Sequence, residues 1–125
     1  MSNIFLKRMY EPFDESDGCR ILVDRIWPRG ISKESAKLEH WFKEIAPSPD
    51  LRKWFCHKPE LFEEFRERYI HELRTDEQKL NLIEQILEKA GKEQVTLLYG
   101  AKDPVYNHGV VLFEELMNRI KGEDL

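Results

Sequence analysis

The stretch Leu22 to Gly30, LVDRIWPRG, decides how this chain is read. It opens as the end of a buried strand, and buried strands are near-continuous apolar runs. It then sets Asp24, Arg25 and Arg29 around Trp27 and breaks at Pro28-Arg29-Gly30. Charged side chains are seldom fully buried without a partner. Two readings follow. Either Arg25 pairs with Asp24 or another carboxylate as a structural ion pair, or the strand ends at the mouth of a site for something anionic.

Upstream, Ile4 to Tyr10 is a short β-prone run and Glu11 to Gly18 is turn-rich, so a first strand precedes the second, Arg20 to Trp27. Downstream, Ser32 suits an N-cap, and the spacing Leu38, Trp41, Phe42, Ile45 predicts an amphipathic helix. Pro47 and Pro49 stop it. Ser48 then caps a helix whose apolar face holds Leu51, Trp54 and Phe55. A longer helix from Pro59 turns Phe62, Phe65, Tyr69 and Leu73 inward. Thr75-Asp76-Glu77-Gln78 reads as a capping box for the next helix, which Gly91 ends with a left-handed cap. Val95 to Tyr99 is a strand of strong β propensity, and a final helix starts from a cap at Asp103 or Asn107. With 50–91 helical, the sheet holds about three strands. The expectation is a single α/β domain over 1–125, a small, mainly parallel sheet with helices packed against it in Rossmann-like layering. The first two strands, joined by few residues, are either parallel or a long-looped antiparallel pair.

Charged residues make up 35% of the 125, and the net charge is −4 with a pI near 5.6, against the basic patch expected of a nucleic-acid binder. No apolar stretch approaches the ~20 residues of a membrane span, and Met1 to Lys7 carries no secretory apolar region of sufficient length. The two cysteines, Cys19 and Cys56, form neither a disulfide framework nor a zinc quartet. A cytoplasmic protein is expected. No histidine pair has i, i+4 or HxH spacing, so neither a metal nor a cofactor is expected.

Two segments share a design. The second strand leaves through Arg25-Ile26-Trp27-Pro28-Arg29-Gly30 toward Lys33, and the last strand leaves through Gly100-Ala101-Lys102-Asp103 toward Asn107-His108-Gly109. Ligands of open α/β sheets bind outside the carboxyl ends of strands, where helix N-termini favour anions. If the two strands are parallel neighbours, Arg25, Arg29, Lys33, Lys102 and His108 converge. Arginine's fork suits carboxylate or phosphate, and lysine acts as a mobile charge. Glycines 30, 100 and 109 would let backbone approach a ligand, although neither GxGxxG nor GxxxxGK[ST] occurs. His108 is the candidate general acid or base, with Asp24 or Asp103 as orienting partner. His57, between two helices, is placed to reach the cleft. Each has a plainer reading: Trp27 as a core anchor, Lys102-Asp103 as a charged turn, His108 as a capping residue.

The segments VDRIWPRGISKE, LRKWFCHKPELFEEFRERYIHEL and LLYGAKDPVYNHGVVLFEEL resemble the YeaO-like family, small bacterial proteins of unknown function. The resemblance spans nearly the whole chain and implies an α/β domain but no reaction. Its motif positions fall on Asp24, Arg25, Trp27, Pro28, Arg29, Gly30, Lys33, His57, Lys102, Asp103, Asn107 and His108. Broader relatives carry a cysteine where this chain has Tyr99 and Cys-His-Arg where it has Asn107-His108-Gly109, which removes both thiols here. Cys56 stands where glycine is usual. Three functions remain open: a hydrolase or transferase acting on an anionic small molecule through His108; a non-catalytic module that senses such a ligand or docks a protein; and nucleic-acid binding through Arg20, Arg25, Arg29 and Lys33, disfavoured by the overall charge.

Overall fold

The computed structural model describes residues 3–123. Four strands, β1 (Ile4–Arg8), β2 (Cys19–Leu22), β3 (His40–Trp41) and β4 (Val95–Tyr99), form one sheet in the order β1-β4-β2-β3. All three pairings are parallel, with Leu97 opposite both Leu6 and Ile21. Five α-helices accompany them: α1 (Lys33–Ala36), α2 (Pro49–Phe55), α3 (Phe62–Thr75), α4 (Glu77–Ala90) and α5 (His108–Glu123). The first two strands are therefore parallel and not adjacent, because β4 inserts between them.

β2 and β4 are buried along their whole length, which explains their unbroken apolar character. Their alternate side chains feed two cores. Cys19, Ile21, Val23, Val95 and Leu97 pack with the inner faces of α2–α5, including Phe55, Phe65, Tyr69, Ile83 and Leu112. Leu22 and Leu98 point the other way and meet Met9 and Ala36 under a layer of loop carrying Trp27, Ile31 and Leu38. On that second face Arg20, 2% exposed, donates to Asp17 at 2.5 Å and to the Ala36 carbonyl at 2.9 and 3.1 Å. Lys7 holds both oxygens of Asp17 at 3.0 Å.

The helices seat one another through polar clasps. Glu72 of α3 accepts from the Ser48 N–H and hydroxyl, while the Ser48 oxygen accepts from the Leu51 N–H, so the cap of α2 is anchored to α3. Arg74 forms a bidentate pair with the buried Glu115 of α5 at 3.0 Å.

The structure departs from the sequence-based expectation at four places. The helix expected through Leu38–Ile45 stops at Ala36, with Lys37 left-handed at φ 48°. The chain then runs as the edge strand β3, its ladder closed by Glu39 N–H to Arg20 O and Phe42 N–H to Leu22 O, which raises the strand count to four. The Leu38, Trp41, Phe42, Ile45 spacing reflects instead a strand followed by a tight 3-10 turn. The fourth helix is capped by Asp76, whose side chain accepts from Lys79 N–H, one residue after the expected Thr75. Gly91 closes that helix in a right-handed conformation, φ −73°. β2 ends at Leu22, with one further ladder bond from Val23 N–H to Leu98 O, so Asp24–Trp27 is already loop. Among the described residues no helix is long and apolar enough to cross a membrane.

Candidate functional site

The carboxyl ends of β2 and β4 open side by side, as the parallel pairing requires. Between them lies a cavity of about 340 Å³, lined by Asp24, Arg25, Trp27, Arg29, His57, Asn107 and His108 among the residues singled out from the sequence. Tyr10, Ile26, Arg52, Phe55, Phe65 and Gly100 complete much of the wall. Such a volume is at the lower end for small-molecule pockets. Lys33, at the start of α1, Lys102, Asp103 and Gly30 are not in the wall.

The loop that carries Arg25 and Arg29 is braced by three ring donors. Trp27 Nε1 donates to Ile31 O at 2.6 Å, Trp41 Nε1 to Asp24 O at 2.7 Å, and the Tyr10 hydroxyl to Arg29 O at 2.8 Å. The two indoles meet edge to face at 5.3 Å. These three bonds fix the loop's path although Tyr10 and Trp41 are themselves exposed. Trp27 thus serves as both brace and wall. Gly30 turns the loop at φ 81°.

Asp24 and His108 form the polar floor. Gly100 N–H donates to Asp24 Oδ2 at 2.9 Å, and a Cβ built on Gly100 would lie 2.9 Å from that same oxygen. The glycine therefore admits the carboxylate, not a ligand. Gly109 likewise makes room for protein: a Cβ there would meet Asn107 Oδ1 at 3.0 Å, Leu6 Cδ1 at 3.2 Å and Tyr99 Cβ at 3.3 Å. Asn107 is the cap of α5, its Oδ1 accepting from Val110 N–H at 3.0 Å. Asp103 instead builds the preceding turn by accepting from the Val105 and Tyr106 N–H groups, and those two bonds hold its carboxyl below the usual carboxylate range.

His108 Nε2 lies 3.1 Å from Val23 O and 3.1 Å from Asp24 Oδ1. Both neighbours are acceptors, which assigns a proton to Nε2 and leaves Nδ1 as the lone-pair nitrogen of the neutral ring. Asp24 Oδ1 is buried and accepts no aligned hydrogen bond, so it acts on the imidazole as a charge beside it. Tyr69 stands behind His108, ring to ring at 6.2 Å, and donates its hydroxyl to Ile45 O at 2.7 Å. Burial raises the Tyr69 hydroxyl well above its ordinary pKa, which fits a fixed donor and not an acid.

The arginines differ. Arg25 reaches Glu44 Oε2, Pro47 O and Ala46 O, each at 3.4 Å, too long for strong bonds. No side-chain hydrogen bond or ion pair holds Arg29 or Arg52 among the described residues. Arg20 is the structural arginine of the group, enclosed with Asp17 and away from the cleft. His57 reaches the wall because Cys56 and His57 both take the left-handed conformation, at φ 46° and 57°. This costs energy for residues with a Cβ. Sequence reasoning misses Arg52. Its signal is a cation three residues before Phe55 on a helix whose Leu51 and Phe55 face the core.

A family model described as "Inactive DUF488-N3 subclade" matches residues 3–124. The chain belongs to this YeaO-like family. It is 47% identical over 114 residues to "Uncharacterized protein YeaO" of Escherichia coli (strain K12), covering 91% of this chain and 96% of that protein. It is 36% identical over 118 residues to "Uncharacterized protein Rv3073c" of Mycobacterium tuberculosis (strain ATCC 25618 / H37Rv), covering 94% and 97%. No solved structure matches the chain significantly. The function of the YeaO-like relatives is not established. In this YeaO-like chain Tyr99 is 5% exposed at the end of β4 and Asn107 is spent on capping, so neither position offers a nucleophile. Among the described residues no serine, threonine, cysteine or lysine lines the cleft.

Proposed function

We propose that the cleft binds a small anionic ligand, a phosphorylated or carboxylated molecule with an apolar body, without transforming it. The observation that carries this reading is three arginines lining one cavity, two of them with no side-chain partner among the described residues, in a chain of net charge −4. An unpaired guanidinium on a concave wall is available for bidentate recognition of carboxylate or phosphate. Phe55, Phe65 and Ile26 supply the surface for an apolar body. The absence of a thiol, a serine or threonine hydroxyl or a lysine amine from the described wall, together with the word "Inactive" in the family description, favours binding over group transfer. Two free cysteines suit a cytoplasmic setting.

The test is titration calorimetry of the full chain with inorganic phosphate, phenyl phosphate, benzoate and nucleoside monophosphates, repeated on Arg29→Ala and Arg52→Ala. A saturable signal weakened in both variants supports the reading, and its absence from the whole panel refutes it. A second reading, a hydrolase or transferase with His108 as base, draws on the Asp24–His108 pair. Turnover of a bound phosphate ester that disappears in His108→Ala while binding persists would establish it.

A further inference from the structure

At the amino-terminal side of the sheet, away from the cleft, the Cys19 sulfur, a Glu39 carboxylate oxygen and a His40 ring nitrogen all lie within 4.8 Å of one another. We propose that these three side chains form a binding site for a zinc-class divalent metal, which ties the edge strand β3 to β2. Metal–ligand bonds of about 2.0–2.3 Å place tetrahedral ligands roughly 3.5 Å apart, so small side-chain rotations close the set. One sulfur, one nitrogen and one oxygen donor suit zinc or cobalt better than calcium or magnesium. Three protein ligands leave a fourth position for water.

The surroundings support the assignment independently of the donor count. The His40 ring stacks on Phe42 at 5.0 Å and makes no hydrogen bond among the described residues, so its nitrogens are available on a fixed ring. β3 is held in register by His40 opposite Ile21 and by Glu39 N–H to Arg20 O at 2.9 Å, which keeps the backbone of two ligands rigid. Cys19 is fully buried beneath the pair, whereas Glu39 is exposed, so one side of the site opens to solvent. Glu39 and Glu93 place negative charge near the sulfur against one positive charge, Lys89. Binding would replace the thiol S–H by a thiolate–metal bond and release that proton to solvent, with no redox change. The short strand β3 gains most: it has two residues and lies at the edge.

The experiment is titration of tag-free, metal-free full chain with Co²⁺, followed by displacement with Zn²⁺. The expected result is near-ultraviolet thiolate-to-cobalt absorption together with the visible bands of a tetrahedral site, lost on adding zinc. His40→Ala, on the sheet edge, should abolish both. Glu39→Gln should weaken binding about tenfold or more, and Cys56→Ser should leave it unchanged. Cys19→Ser should lose the thiolate band, and if that buried change disturbs folding, His40→Ala decides the question in its place. Absence of thiolate absorption in the wild type, its persistence in His40→Ala, or its loss in Cys56→Ser would overturn the proposal. Because the site lies away from the anion cleft, its failure leaves the proposed function standing, and the reverse holds too.

Discussion

Arg20 and the cleft arginines should respond oppositely to removal. In Arg20→Met the apolar stem is kept, but Asp17 loses its contact at 2.5 Å and the Ala36 carbonyl loses both of its donors. Breaking one side of a buried ion pair costs about 3–5 kcal/mol. Lys7 still holds Asp17 through two bonds of 3.0 Å, which places the expected loss near the lower figure, about 3 kcal/mol. At roughly 4 °C per kcal/mol for a chain of this size, Tm should fall by about 12 °C. Arg29→Ala and Arg52→Ala remove unpartnered side chains and should each change stability by less than about 0.5 kcal/mol. Urea unfolding at neutral pH measures all three, provided the m-value is constant. A loss below about 1 kcal/mol in Arg20→Met, or a loss of about 3 kcal/mol in Arg29→Ala, would refute the division into structural and cavity-lining arginines.

Other expectations concern the same network and the loops. Burial opposes ionisation of Asp17, but bonds from Lys7, the Asp14 N–H and Arg20 outweigh it and hold its carboxyl below the usual range. A depressed folded-state pKa stabilises above the unfolded value, about 3.9, and that stability is lost as pH falls through the folded value. Acid unfolding of the wild type should therefore steepen below about pH 4, and less so in Asp17→Asn. Cys56→Gly relieves a left-handed residue with a Cβ and should stabilise by about 0.5–1 kcal/mol after the entropic cost of glycine, read by urea unfolding. Burial first, then Glu39, push the Cys19 thiol up to about 11, so an aromatic disulfide reagent should titrate exposed Cys56 quickly and Cys19 only on unfolding. Gly100→Ala forces a Cβ to within 2.9 Å of Asp24 Oδ2 and should destabilise by about 1–3 kcal/mol, with a changed His108 imidazole signal by NMR.

Much of the fold is legible in the chain because apolar runs and turn residues act locally. LVDRIWPRG marks the carboxyl end of β2, and the parallel pairing of β2 with β4 follows from helical segments separating apolar strands. Asp24, Arg25, Arg29 and His108 share one cavity for that reason. The spacing over Leu38–Ile45 misleads because it serves a helix, or a strand and a turn, equally well. The deciding contact, the Arg20 guanidinium engaging the carboxyl end of α1, is long-range. Lys33 and Lys102 stand near the cleft residues in sequence, but neither lines the cavity. The roles of glycines 100 and 109 depend on which side chains arrive from β1 and from the loop after β2, and no local pattern announces that.

The proposed anion site rests on Arg29 and Arg52, and its most direct test is thermal unfolding across increasing phenyl phosphate at constant ionic strength, comparing wild type with the Arg29→Ala/Arg52→Ala double variant. Without ligand the two should share one Tm. With ligand the wild type should gain stability that the double variant lacks, about 2.7 kcal/mol at a hundred times Kd. Equal shifts in both proteins, or a double variant already far less stable without ligand, would contradict it.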